Sequence, residues 1–240
     1  LGDCYFICAL IYIAKEKDLV KTIFHPKSSL EYGCVLVYFQ FMGEKLPVIV
    51  DTQMPFDLEN SGYDPTIPKF SRPKTKEDPC WFVLVEKAFA KLCGSYKATI
   101  NGTTSYGVRI LMEYFSIYID DFKSFLPPSA FNQDNNKFDF NKEVFNEISR
   151  LHKKKAMLGC AILEKHLVNM TSEELQKKTG LITNHGYQII DSREIQNVRL
   201  LKLRNPWGQE EWTGPYSDES KEMTEKLKKQ LNHISSNDGS

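Results

Sequence analysis

The sequence predicts an α+β fold in two lobes with a cleft between them, the first lobe mainly helical and the second rich in strands. Three observations lead there. An apolar run of helical length opens the chain at Cys4, two strand-like runs lie between His185 and Asn205, and 240 residues that are 41% hydrophobic suffice to bury a core on both sides of a cleft. The expected division is residues 1–110 for the first lobe and 111–240 for the second.

The elements follow in order. After Leu1-Gly2-Asp3, residues Cys4 to Ala14 are nearly all apolar and the charged stretch from Lys15 to Asp18 ends them, which reads as a buried helix with Cys4 in its first turn. Gly33 to Phe41 and Pro47 to Val50 are β-rich and joined through Gly43, as in a hairpin. Gly62 to Pro79, with its prolines and charges, reads as a surface loop. In WFVLVEKAFAKLC the residues Trp81, Leu84, Val85, Ala88, Phe89 and Leu92 recur at helical spacing, with Glu86 and Lys87 off that stripe and Gly94 as the stop. Asn101 to Gly107 is rich in glycine, threonine and serine and reads as a loop. The stretch from Asn132 to Lys142 is polar, a helix is expected from about Glu143 to Lys155, and Thr171 with Glu174 makes a capping box for a short helix stopped by Gly180.

Composition excludes some partners. Lysine plus arginine equal aspartate plus glutamate at 31 each, so no net field draws in nucleic acid or an anionic membrane. No apolar run reaches membrane-spanning length and no signal peptide is visible. The six cysteines are scattered without a CxxC pair, which suits a reducing, cytoplasmic setting better than a disulfide framework. Sequons at Asn101 and Asn169 are too common a pattern to outweigh that. A chemical motif at residue 1 and an abrupt end at SSNDGS give the chain the look of a piece of a longer protein.

The chemistry resides in Cys4, His185 and Asn205. A cysteine early, a histidine far downstream and an asparagine beyond it is an order suited to a nucleophile, a base and the residue that orients the base. A helix amino end exposes unpaired amides and partial positive charge, which favours a thiolate at Cys4, whereas Cys8, one turn deeper in the apolar helix, reads as inert packing. HGYQIID and VRLLKLRN run as strands, and SREIQN can turn the chain between them. Such a hairpin pairs His185 directly with Asn205, so the amide oxygen can accept a hydrogen bond from one imidazole nitrogen and leave the other for a thiol. His25, His152, His166 and His233 lack ligand spacing and read as surface residues, as do Lys226, Lys228 and Lys229.

LGDCYF, LVEKAFAKLCGSY with TTSYG, MLGCAI, NHGYQ and LRNPWGQEEWTGPYSD together resemble, in order, the protease core of the calpains, papain-like cysteine peptidases. The resemblance implies a calcium-dependent cytoplasmic endopeptidase that cleaves protein substrates by limited proteolysis. It makes Cys4 the nucleophile, His185 the general base and acid, Asn205 the orienter and Trp207 a shield over the last two. It gives Gly107 and Asn184 to substrate binding, Asn184 standing where calpains have glycine. Calcium would be held by Glu86 in the first lobe and by Glu211, Asp218, the Ser236 carbonyl and Asp238 in the second, weakened because Ser240 replaces an acidic residue. A glutamine side chain upstream of the cysteine would complete the oxyanion hole; it precedes residue 1, so residues 1–240 alone are expected to turn over slowly. Regulatory domains or subunits outside the chain are further implied partners. Two other readings compete with it: a silent calpain-like binding module, against which the intact Cys4, His185 and Asn205 argue, and a transglutaminase-type enzyme, which would use aspartate where Asn205 stands.

Overall fold

The computed structural model describes residues 2–56, 68–71, 73, 79–112, 116–119, 126 and 139–235. The chain divides into two compact units, Leu1–Ser116 and Ile117–Ser240. Most of the expected loop from Gly62 to Pro79 and of the polar stretch from Asn132 to Lys142 lies outside the described residues. Among the described residues no helix is long and apolar enough to cross a membrane.

The first unit is built around helix α1, Cys4–Ala14. Its apolar residues surround the axis rather than forming a stripe, so it must be covered on several sides. Helix α2 (Lys17–Ile23), α3 (Trp81–Cys93) and α4 (Thr104–Leu111) all pack on it. Phe6 stacks on Phe89 with ring centroids 4.0 Å apart, and Phe6, Phe89 and Phe39 are fully buried. Each such ring stabilises the unit by roughly 1.5–3 kcal/mol. Strands β1 (Cys34–Phe41) and β2 (Glu44–Asp51) form the expected hairpin, with Phe41 opposite Glu44 across Met42 and Gly43. Both turn residues have positive φ, 50° and 83°, as a two-residue turn matched to strand twist requires.

Two expectations fail in this unit. The segment beginning at Asn101 is only briefly a loop: Thr103 caps α4 by accepting from the Tyr106 amide, and Gly107 lies inside the helix. Helix α3 is buried on a wider arc than its apolar stripe, because Val83, Glu86 and Ala90 add a second covered row. Glu86, expected off the buried face, is 1% exposed.

The second unit is an antiparallel sheet of β3 (Leu158–Ile162), β4 (His185–Ile195) and β5 (Val198–Arg204) in the order β3-β4-β5. Helix α5 (Phe140–Lys153) is capped by the Asp139 carboxylate and buries Phe145 and Ile148, packing against β3 and β4. Helix α6 (Ser172–Thr179) carries the complete Thr171–Glu174 capping box and ends at Gly180. Gly180 has φ 75°, and a Cβ there would lie 1.9 Å from the Glu211 carbonyl oxygen, so the glycine lets the segment after Asn205 dock on the end of α6. A last helix, α7, spans Glu225–Leu231.

The β4–β5 hairpin differs in register from the expected one. Its turn is Gln196–Asn197, both with positive φ at 53° and 67°, and a bulge falls between Ile189 and Asp191. Gln188 therefore pairs with Arg204, while His185 pairs with Ile162 on the other neighbour. A direct His185–Asn205 pairing would need the turn nearer Ile195, where no pair of residues adopts the left-handed conformation that such a turn demands.

Candidate active site

The three candidate catalytic residues are divided between the units, Cys4 in the first and His185 and Asn205 in the second. In the first, Cys4 is the first residue of α1 and partly exposed. Amides of a first helical turn have no partner within the helix, so the Cys4 N–H is a donor of the kind that can stabilise an oxyanion. Cys8 is wholly buried, as its place in the apolar helix implied. Asp3 precedes the nucleophile at the helix cap, yet its side chain caps nothing. Its carbonyl accepts from Phe6 N–H at 2.8 Å and Ile7 N–H at 3.1 Å, and its carboxyl turns inward against Glu86.

In the second unit His185 is 3% exposed and its Nε2 lies 2.8 Å from Asn205 Oδ1. The side chains meet across the strands on a diagonal, not as a directly opposed pair. Asn205 is 1% exposed and its amide orientation is fixed by its other bonds. Nδ2 donates to the carbonyls of Gln209 at 2.7 Å and Glu210 at 3.1 Å, and Oδ1 accepts from Trp207 N–H at 3.0 Å. Oδ1 is thus an acceptor only, so His185 Nε2 carries the proton that is shared with it. In the neutral ring this leaves the lone pair on Nδ1. Burial is the first cause that lowers the His185 pKa, partly opposed by the Asn205 bond and the nearby Glu210 carboxylate. A neutral base at neutral pH results.

Trp207 stands 4.4 Å from the His185 ring, centroid to centroid, and Tyr187 meets the same ring edge-on at 5.0 Å. Trp207 is itself 49% exposed, so it covers one face of the imidazole while facing solvent. Tyr187 and the carbonyls of Gln209 and Glu210 are the supporting groups that sequence reasoning missed. The alternation along HGYQ could have revealed Tyr187, but backbone carbonyls leave no mark in a sequence.

The substrate-binding assignments fare differently. Gly107 N–H donates to the Thr103 carbonyl inside α4, and the residue is buried against α1, where a Cβ would lie 3.0 Å from Ala9 Cβ and 3.1 Å from the Tyr5 carbonyl. Its N–H is thus engaged within the helix, and its lack of a side chain serves close helix packing. Asn184 adopts φ 52°, a conformation that glycine takes freely and asparagine tolerates best among the rest. It is exposed beside His185, with Oδ1 accepting from Glu164 N–H and Nδ2 donating to Glu164 Oε2.

The calcium donors implied by resemblance do not assemble among the described residues. Glu86 is buried and accepts from the Ser71 N–H at 3.1 Å and from the Ser71 hydroxyl. Asp218 accepts from His233 Nε2 at 2.6 Å, while Lys202 Nζ lies 3.1 Å from His233 Nδ1. His233, expected at the surface, has a side chain only 8% exposed for this reason. Ser236, Asp238 and Ser240 lie outside the described residues. Among the described residues no group of three or more His, Cys, Asp or Glu could hold a metal ion.

Comparison with known proteins adds an independent finding. A family model described as calpain family cysteine protease matches residues 1–240. The chain is 29% identical over 236 residues to the Calpain-type cysteine protease DEK1 of Arabidopsis thaliana, covering 98% of this chain and 10% of that protein. It is 26% identical over 249 residues to mouse Calpain-9, covering 100% of this chain and 32% of the relative. To the mouse Calpain-2 catalytic subunit it is 26% identical over 234 residues, covering 91% and 28%. The chain therefore spans a tenth to a third of the length of these relatives.

Proposed function

Because the chain belongs to the calpain family of cysteine proteases, we propose that it is the protease core of an endopeptidase that cleaves protein substrates through a thioester on Cys4. The observation that carries the reading is the buried hydrogen bond from His185 Nε2 to Asn205 Oδ1, which leaves Nδ1 as the basic nitrogen. A buried imidazole with a fixed tautomer is what general acid and base catalysis needs.

His185 Nδ1 takes the thiol proton, and the Cys4 sulfur attacks the peptide carbonyl carbon. The Cys4 amide donates to the oxygen as it gains charge. The imidazolium then gives the proton to the leaving amine as the C–N bond breaks, and the acyl group remains on sulfur. A water attacks the thioester, gives its proton to Nδ1, and the thiolate departs to leave a new carboxyl terminus. Asn205 orients the ring throughout, and Trp207 keeps water from one face of it. Asn184, exposed beside His185, is given to the substrate backbone on family resemblance.

Calcium activation and cytoplasmic action belong to the same proposal, the first on family resemblance alone. None of the six cysteines, all of them described, is in a disulfide, which supports a reducing setting.

The test uses the full-length protein and a thiol-directed epoxysuccinyl peptide. Wild type is expected to be alkylated at Cys4, Cys4→Ala not at all, and His185→Ala about a hundredfold more slowly, the usual worth of a general base. Chelating calcium is expected to lower labelling, and equal labelling with and without it removes calcium from the proposal. Absence of any Cys4 adduct at every calcium level overturns the protease reading.

A further inference from the structure

Cys4 is flanked by two ties to one short stretch of the first unit. Two residues before it, the Gly2 carbonyl accepts from the Asn101 N–H at 3.0 Å. One residue after it, the Tyr5 hydroxyl donates at 3.0 Å to the carbonyl of Thr99, a residue 94 positions away in the chain. Both partners lie within residues 99–102, between α3 and α4. Helix α1 has use for such ties, because Asp3 at its cap gives no side-chain bond to the amides of the first turn.

The space around the Tyr5 tie is filled. Tyr5 is 5% exposed and Thr99 1%. The Tyr5 ring lies over Gly102, where a Cβ would come within 2.5–2.7 Å of Cζ, Cε2 and Cε1. The stretch is held at both ends. Thr99 closes the 3₁₀ turn Lys97–Thr99 and donates its hydroxyl to the Tyr96 carbonyl at 2.8 Å, while Thr103 caps α4, which packs on α1. A fixed acceptor therefore faces the Tyr5 hydroxyl. A phenylalanine would fill the same space; the hydroxyl is the part that needs Thr99.

We propose that Tyr5 is a positioning residue for the nucleophile: its hydroxyl, bonded to the Thr99 carbonyl, pins the first turn of α1 and so fixes where the Cys4 thiol and N–H point. Gly2 is held on one side by Asn101 and Tyr5 on the other by Thr99, which leaves only Asp3 and Cys4 free to adjust between them. Asp3 has φ −109° and ψ 24°, outside the helical and extended regions, and the two ties supply the hold that its own side chain does not. Tyr5 acts here through Cys4, without touching the reacting atoms.

The catalytic part of this role rests on the protease reading; the pinning itself does not, and each has its own measurement. In the full-length protein, Tyr5→Phe is expected to speed amide exchange about fivefold at Phe6 and Ile7, whose N–H groups bond to the Asp3 carbonyl, the worth of one net hydrogen bond. Leu10 and Ile13, further along α1, are expected to exchange as before. Unchanged exchange at Phe6 and Ile7, or an equal rise throughout α1, overturns the pinning whatever the activity. In peptide hydrolysis Tyr5→Phe is expected to lower kcat about three- to tenfold with KM nearly unchanged, because a displaced oxyanion donor and thiol weaken the transition state rather than substrate binding. Gly102→Ala keeps the hydroxyl but pushes the far end of the ring off Thr99, so it is expected to lower kcat in the same way. The double variant is expected to lose no more than the worse single one, since both break one bond. Wild-type kcat in Tyr5→Phe, a loss confined to KM, or multiplied losses in the double variant overturn the positioning role. Lack of thiol-dependent hydrolysis by wild type fails the protease reading instead, and leaves the pinning to be judged by amide exchange.

Discussion

Asn205 illustrates how much one side chain can hold. Its oxygen serves His185 and the Trp207 amide, and its nitrogen ties the carbonyls of Gln209 and Glu210, all at a residue that is 1% exposed. Asn205→Ala leaves those groups without their partner, and an unfolding free-energy loss of about 1–3 kcal/mol is expected. Asn205→Asp keeps the acceptor for the ring but sets a carboxylate against two carbonyls, so it is expected to lose stability while retaining more Cys4 alkylation than Asn205→Ala. Urea unfolding and probe labelling of both variants check this; equal labelling in the two removes the orienting role. Asn184 offers a second prediction. Its φ of 52° costs most side chains roughly 1–2 kcal/mol. Asn184→Gly is therefore expected to be nearly neutral, trading its Glu164 bonds for freedom from strain, and Asn184→Ala to destabilise; equal melting temperatures for the two variants contradict it.

At the scale of elements, the long apolar segments were legible and the close approaches were not. Helix α1 reads directly from its sequence because nothing polar interrupts Cys4 to Ala14. The capping box at Thr171 and the hairpin at Gly43 are local signals of the same kind. The proximity of His185 to Asn205 was readable because a hairpin is local, but its register was not: Gln196–Asn197 is a weaker turn signal than Asn-Gly, and a bulge leaves no trace in alternation. Glu86 defeated the reading because its partner is distant, and a charge off an apolar stripe normally faces water. Gly107 looked like a loop residue because glycine marks loops more often than tight helix crossings. Its packing yields a prediction: Gly107→Ala gains helix propensity of about 1 kcal/mol but meets the backbone of α1 at Tyr5 and Phe6, 3.1 and 3.3 Å away, which cannot retreat without moving Cys4. Net destabilisation of about 1–2 kcal/mol is expected, the clash outweighing the propensity. Asn197→Gly is expected to act oppositely, because glycine takes the φ of 67° at this turn without steric cost, and thermal melts of the two variants check both signs.

For the whole molecule the two units carry buried titratable groups of opposite sense, which gives stability two limbs with different owners. His185 has its pKa lowered by burial, so on acidification the unfolded chain binds the proton first. Its contribution is present above about 6.5 and is lost as pH falls through the lower folded value. Glu86 is raised from 4.5 to about 8, so the folded chain keeps a proton that the unfolded chain has released. Its contribution is full below 4.5 and is lost as pH rises through about 8, and Asp3, raised by burial, acts in the same direction. Glu86→Gln is therefore expected to flatten the decline between neutral and alkaline pH, and His185→Gln to flatten the decline on the acid side. Amide exchange read separately in α3 and β4 across that range assigns each limb to its unit, after correction for the intrinsic pH dependence of exchange. The diagnostic result is a crossed pattern, in which Glu86→Gln alters the pH response of α3 and His185→Gln that of β4. An unchanged alkaline response of α3 in Glu86→Gln means that Glu86 keeps no extra proton in the folded chain. The acid limb of β4 stands or falls on His185→Gln alone.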